Sequence, residues 1–268
     1  MPYRIDVTGV DEPTLLRLVD LGALDVEFSA QEGSGAALLP DGVSPEDVAR
    51  RLGLARVHVS SAAGRDADSV WSLSPRAVRI GRLRLVPAAT TPDVPTPGDL
   101  RMLDTAAFGT GRHPTTALCA EMLVDLLEAM PVTRMLDVGT GSGVLALVAL
   151  AHGVPRVVAV DIDGHAVRVA AANAQLNGMA SRLLAVHADS EALRGRWPLV
   201  VANVLAAPLI EMAPRLTACV AHQGLLLLSG IPIALQDEVA RAYRHLGMSL
   251  ADERSSGGWV AMTFRASW

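Results

Sequence analysis

Apolar positions in the first sixty residues follow short, changing rhythms. Residues 3–8 alternate as a strand, and 11–21 carries Leu15, Leu16, Leu18 and Val19 at helical spacing behind Asp11, the expected cap. Segments 24–28 and 36–39 flank a Gly-Ser-Gly turn and read as a hairpin. A second helix is expected over 44–52, with Ser44 as cap, Pro45 at its first position and Asp47 in its first turn. A strand over 55–60 closes the unit. The order β-α-β-β-α-β predicts a small α+β ferredoxin-like domain over 1–61. Residues 62–102 read as linker and hairpin: 77–87 alternates around Gly81, and the proline-rich 88–100 reads as connector rather than core.

From residue 113 the rhythm becomes a long alternation of helix and strand. A helix over 114–130 carries one apolar row at Leu118, Met122 and Leu126 and a second at Cys119, Leu123 and Leu127. Strands are expected at 134–138, 156–161, 183–187, 198–202 and 224–229, separated by helices at 142–152, 164–177, 206–217 and 234–246. An alternating strand at 259–265 ends the series. The runs 157–160, 199–202 and 225–228 have no polar face, which is the pattern of strands covered on both sides. The fold class is therefore α/β: a doubly wound, Rossmann-like open sheet over 103–268, with its ligand crevice at the carboxyl ends of the strands.

Composition narrows the function. The 268 residues are 50% apolar, and a net charge of −5 argues against broad nucleic-acid binding through a basic surface. Cys119 and Cys219 lack the spacing of a disulfide framework or zinc site, and no other metal-ligand spacing stands out. The first residues lack the apolar stretch of a signal peptide, and no uncharged apolar run reaches membrane-spanning length. A cytoplasmic protein without membrane association is expected. The chain contains no lysine; codon bias toward arginine accounts for this, although an enzyme that modifies lysine would also be spared self-modification.

Candidate chemistry gathers at the strand ends. Leu-Asp-Val-Gly-Thr-Gly-Ser-Gly at 136–143 places Gly139, Gly141 and Gly143 directly after a strand, where the backbone can turn sharply and approach a ligand. The loop is expected to turn backbone N–H groups toward that ligand. Its G-x-G-x-G spacing, preceded by Asp137, differs from the dinucleotide G-x-G-x-x-G. Asp161 ends the next strand, where a carboxylate accepts both hydroxyls of a ribose. The pair indicates a nucleoside ligand without pyrophosphate, for which S-adenosylmethionine (SAM) is the leading candidate.

Asp163 reads as a helix cap. Asp189 and Ser190 stand either where an adenine amino group would be met or in a plain surface turn. Asn203 ends the strand at 198–202, beside the expected reactive end of the cofactor. Its amide oxygen can accept an amine N–H and aim the nitrogen lone pair, without favouring the ammonium as a carboxylate would; it can equally cap a helix. In the stretch 107–116, Thr115 and Thr116 open a helix whose positive end suits a carboxylate, and Phe108 can cover the cofactor or anchor the core. His113 reads as a structural histidine.

F-G-T-G-x-H-P-T-T, L-D-V-G-T-G-S-G, V-D-I-D and V-V-A-N-V-L-A, in that order, resemble the ribosomal protein L11 methyltransferases. The relative that methylates lysine in the electron-transfer flavoprotein beta subunit shares much of this pattern. Similarity runs from about Leu103 to Phe264. The resemblance implies a seven-stranded class I SAM-dependent methyltransferase domain and methylation of lysine side chains and an N-terminal amine in a ribosomal protein. It also implies that the N-terminal domain holds that protein substrate. Carried over by motif, Thr116, Gly139, Asp161 and Asn203 are cofactor contacts, with Asn203 also the catalytic residue that steers the amine; Phe108, Thr115, Gly141, Gly143 and Asp189 complete the expected cofactor set. The chain departs from the family at Asp104-Thr105-Ala106, where Asp-Pro-Gly-Met is usual, and at Gly164, where proline is usual. Other readings are methylation of another protein or a small-molecule amine, and a non-catalytic ribosome- or factor-binding module with a vestigial cofactor fold.

Overall fold

A computed structural model describes residues 3–29, 34–40, 42–61, 77–88, 96–103 and 113–268. Two compact units form, one within 1–76 and the other from 77–103 with 107–268.

In the first unit the chain runs β1 (Tyr3–Thr8), α1 (Glu12–Leu16), β2 (Asp25–Ser29), β3 (Ser34–Leu39), α2 (Pro45–Leu52) and β4 (His58–Ser61). The strands lie in the order β2-β3-β1-β4 with every neighbour antiparallel. Helix starts are set by short polar side chains that accept otherwise unpaired first-turn N–H groups: Asp11 from Thr14 at 2.9 Å and Ser44 from Asp47 at 3.1 Å. Ile5, Leu15, Leu18, Leu39 and Val48 are buried in the shared core. The expected helix over 11–21 is shorter than its apolar pattern: α1 stops at Leu16, and Val19–Leu21 is a 3-10 turn.

The second unit begins with β5 (Val78–Ile80), β6 (Leu83–Pro87) and β7 (Asp99–Met102). They form a small sheet in which β5–β6 is antiparallel and β6–β7 parallel. Part of the segment expected to be connector is thus core, since Leu100 and Met102 are buried with Leu83 and Leu85.

The remaining elements are α3 (Pro114–Ala129), β8 (Arg134–Val138), α4 (Val144–Ala151), β9 (Arg156–Asp161), α5 (Gly164–Leu176), β10 (Leu183–His187), β11 (Trp197–Asn203), α6 (Ala206–Glu211), α7 (Ala213–Cys219), β12 (Val220–Pro232), α8 (Gln236–His245), β13 (Met248–Ser256) and β14 (Trp259–Ala266). Seven strands form one sheet in the order β10-β9-β8-β11-β12-β14-β13. The first five are mutually parallel; β14 runs antiparallel between β12 and β13.

Alternate residues of each central strand enter opposite cores. Met135, Val157, Leu199, Val201, Leu225 and Leu227 pack with α3 and α4; Leu136, Val160, Val200, Ala202, Leu226 and Leu228 pack with α6, α7 and α8. Apolar layers on both faces explain the unbroken runs in sequence. The helix expected over 206–217 is divided at Met212 into α6 and α7. Pro214 lacks the N–H that would have bonded to Ile210, and its ring crowds that carbonyl. Pattern reading also missed β13, whose exposed residues alternate at the sheet edge. Among the described residues, no helix is long and apolar enough to cross a membrane.

Candidate active site

The carboxyl ends of β8, β9, β11 and β12 bring the candidate residues together in two groups, a cofactor half and an acceptor half. In the cofactor half, Gly139, Gly141 and Gly143 take φ values of 71°, 53° and 82°, conformations that side chains oppose. Gly139 and Thr140 donate their N–H groups to Val160 O at 2.8 and 3.1 Å, and Gly143 donates to Thr140 O at 2.9 Å. Gly141 N–H donates to Asp161 Oδ2 at 2.9 Å. For these four residues the expectation of ligand-facing donors is corrected, because turn closure and the adjacent strand end use them. The loop offers bare backbone with its donors turned inward, which suits a nucleoside better than a phosphate.

Asp161 holds this arrangement together. Oδ2 accepts the Gly141 N–H, and Oδ1 accepts the Asp163 N–H at 3.0 Å. A carboxylate has further lone pairs on each oxygen, so two hydroxyls can still be received. Asp163 caps α5, accepting the His165 N–H at 2.7 Å. Asp189 is exposed and accepts the Ala192 N–H at 3.1 Å, capping the short 3-10 turn Ser190–Ala192. Ile162, 75% exposed immediately after Asp161, was missed in sequence. Its signal was an apolar residue between two acids at a strand end.

Behind the loop, Asp137 is fully buried and its Oδ2 accepts the Thr140 hydroxyl at 2.6 Å. Burial raises its pKa to about 6, against the pull of Thr140 and of the Ala146 N–H in the first turn of α4. Asn173, also missed, is a buried side chain on α5. Its Nδ2 donates to Ser142 O at 2.9 Å and its Oδ1 accepts the Leu103 N–H at 2.8 Å, joining the glycine loop to the end of β7. One turn on, Asn177 makes matching bonds to both backbone groups of Arg101. Two asparagines four apart, one on the buried face of α5 and one at its end, were the available sign.

The acceptor half is built where α3 meets β11 and β12. Asn203 is 8% exposed, and its Nδ2 donates to Thr116 Oγ1 at 3.2 Å. Asn203 Oδ1 is buried and, among the described residues, has no hydrogen-bond partner. Beside it in register, Ser229 of β12 donates its hydroxyl to Thr115 O at 2.9 Å, drawing the start of α3 onto the strand ends. Leu228-Ser229-Gly230 falls within the stretch that resembles the family, but the residue pattern assigned Ser229 no role.

Thr115 and Thr116 are themselves buried. Thr115 N–H points to His113 Nδ1 at 3.4 Å, and Thr116 N–H donates to His113 O at 2.9 Å. Thr116 thus meets Asn203 and Thr115 meets Ser229, with these N–H donors engaged rather than presented at an open helix end. His113 packs edge-on to Trp259, with ring centroids 5.2 Å apart, and caps α3. Burial lowers its pKa to about 4, keeping the ring neutral at neutral pH so that Nδ1 can accept. Phe108 lies outside the described residues.

The sheet order, the glycine loop with its ribose-suited acid and the amide at the end of β11 define a class I SAM-dependent methyltransferase domain. The family described as "Ribosomal protein L11 methyltransferase (PrmA)" matches residues 45–267, and the chain belongs to this family. It is 39% identical over 221 residues to the ribosomal protein L11 methyltransferase of Pelobacter propionicus, covering 80% of this chain and 71% of that protein. The Geobacter metallireducens protein of the same name is 43% identical over 190 residues, covering 70% of this chain and 62% of its own length. A solved ribosomal protein L11 methylase from Lactobacillus delbrueckii subsp. bulgaricus superposes with a TM-score of 0.64 at 26% identity. That match covers 71% of this chain and 98% of the solved one.

Proposed function

We propose that this enzyme transfers methyl groups from SAM to lysine side-chain amines, and to an N-terminal amine, of ribosomal protein L11. The observation that carries this reading is Asn203 Oδ1, a buried acceptor at the end of β11 with no partner among the described residues. Leaving such an atom unpaired costs roughly 1–3 kcal/mol, a cost an incoming amine would remove.

When bound, SAM supplies a sulfonium-activated methyl carbon. Gly139, Gly141 and Gly143 would admit its nucleoside along bare backbone, Asp161 would accept the ribose hydroxyls, and Ile162 offers an apolar ledge for the base. Asp189, with one oxygen engaged in its cap, would meet the adenine amino group with the other. Asn203 Oδ1 would accept an N–H of the neutral amine and point its lone pair along the line of attack. The nitrogen that Asn203 aims would receive that methyl carbon, with sulfur keeping the pair of the C–S bond, and the extra proton on that nitrogen would pass to water. Positioning and exclusion of water supply most of the rate. The domain over 1–61 would hold the protein substrate. No direct nucleic-acid contact belongs to this reading, in keeping with the net charge of −5.

The test is to incubate the protein with isotope-labelled SAM and purified ribosomal protein L11, followed by mass spectrometry of the modified residues. Label on L11 lysines is expected. Absence of calorimetric binding at millimolar SAM would overturn the reading, and label found only on a small amine would overturn its substrate.

A further inference from the structure

Val204 follows Asn203 and is gripped from two sides by elements distant in sequence. On the loop side, a Cβ on Gly139 would fall 2.4 Å from Val204 Cγ1. On the β12 side, Gly230 has φ +85°, and a Cβ there would fall 2.3 Å from Val204 O and 2.7 Å from Val204 C. The glycine loop therefore seats the side chain of Val204 in one notch while β12 seats its backbone in another. Neither notch leaves room for a methyl group. Gly139 and Gly230 must also hold left-handed backbone, so each is required twice over, by conformation and by space.

The peptide joining Asn203 to Val204 is planar and stiff. Moving Val204 therefore moves the Asn203 backbone that carries the amide, and that backbone pairs in register with Ser229, the neighbour of Gly230. We propose that Val204 is a positioning residue, a wedge that sets the spacing between the glycine loop and the Asn203 amide. It thereby aligns the attacking amine with the methyl carbon. The proposal rests on the methyltransferase reading above. It gives the first glycine of the loop a second task beyond admitting the cofactor, that of gauging the distance to the acceptor half.

In-line displacement is sensitive to such spacing, since a shift of about 1 Å costs on the order of a hundredfold in rate. The test compares Val204→Ala, Val204→Thr and Gly230→Ala by kcat at saturating SAM and protein substrate, by KM, and by calorimetric SAM Kd. Val204→Ala should lower kcat about tenfold while SAM Kd stays within about threefold, because alignment is lost rather than cofactor contact. Val204→Thr keeps the branched shape and should remain within about twofold of the parent. Gly230→Ala should lower kcat at least as far as Val204→Ala; if it fails to fold, the two Val204 variants still decide. The proposal is overturned if Val204→Ala keeps its kcat, if kcat and SAM affinity fall together, or if Val204→Thr is as impaired as Val204→Ala. Failure of the methyltransferase reading would be seen separately, as a parent protein that binds no SAM.

Discussion

The two halves of the crevice handle their polar groups in opposite ways. In the cofactor half, four loop N–H groups are bonded within the protein, and both Asp161 oxygens already receive backbone donors. In the acceptor half, Asn203 has its donor engaged by Thr116, and its acceptor meets no donor among the described residues. The loop of the first half has closed its donors within the protein and offers a ligand settled backbone; the second half holds an amide acceptor that a ligand completes. Binding and chemistry are thereby separated along one sheet, and substitutions in the two halves should register in different measurements.

Asn203→Ala should show the largest effect. It removes the acceptor that aims the amine, so kcat should fall about a hundredfold while SAM Kd moves by no more than about threefold. A kcat within twofold of the parent would take Asn203 out of the mechanism. Asp161→Asn should give the reverse pattern. Loss of the charged acceptor weakens SAM binding about tenfold, the equivalent of one charge-assisted hydrogen bond, with kcat at saturation nearly kept. Calorimetry beside saturation kinetics separates the two. A shared pattern in both variants would erase the distinction between the halves.

Thr116 gives a finer probe, because its hydroxyl touches the amide through Nδ2. Thr116→Val keeps the shape and removes the partner, so kcat should drop about fivefold, near the net worth of one neutral hydrogen bond. Thr116→Ser should restore most of it. If Val and Ser behave alike in steady-state assays, the Thr116 bond does not orient the amide.

The same contrast explains what the sequence made legible. Strand runs, the glycine triplet and Asp161 were readable because their causes are local: burial on both faces, backbone that must turn, and an acid at a strand end. Asn203 was readable by its place at the end of an apolar run. The supporting residues were not, since their partners lie far along the chain. Ser229 meets Thr115, Asn173 spans from Ser142 to Leu103, and Gly230 matters because of Val204. The inward turn of the loop donors was equally hidden, for G-x-G-x-G specifies tight backbone without saying where its N–H groups point. Strand β7 was obscured by the prolines before it, and its burial depends on helices that follow much later.

The smallest expected effect in the intact protein is a cancellation between the halves. In the acceptor half, His113 stays neutral down to about pH 4, whereas an unfolded histidine takes up its proton near 6.5. The unfolded chain therefore binds more protons in that interval, and His113 makes stability fall as pH drops from 6.5 toward 4. In the cofactor half, Asp137 keeps its proton up to about pH 6, whereas an unfolded aspartate releases it near 3.8. There the folded chain binds more protons, and Asp137 makes stability fall as pH rises from 3.8 to 6. Each contribution is on the order of a few kcal/mol, with opposite sign, so the two largely offset each other across the interval. Denaturant unfolding at a series of pH values can pull them apart. Relative to the parent, Asp137→Asn should gain stability with rising pH over this range, exposing the His113 slope. His113→Asn, which retains a side-chain cap for α3, should lose stability with rising pH, exposing the Asp137 slope. Slopes of the same sign in the two variants would mean that one of these groups does not titrate from the buried, uncharged state that its half of the crevice imposes.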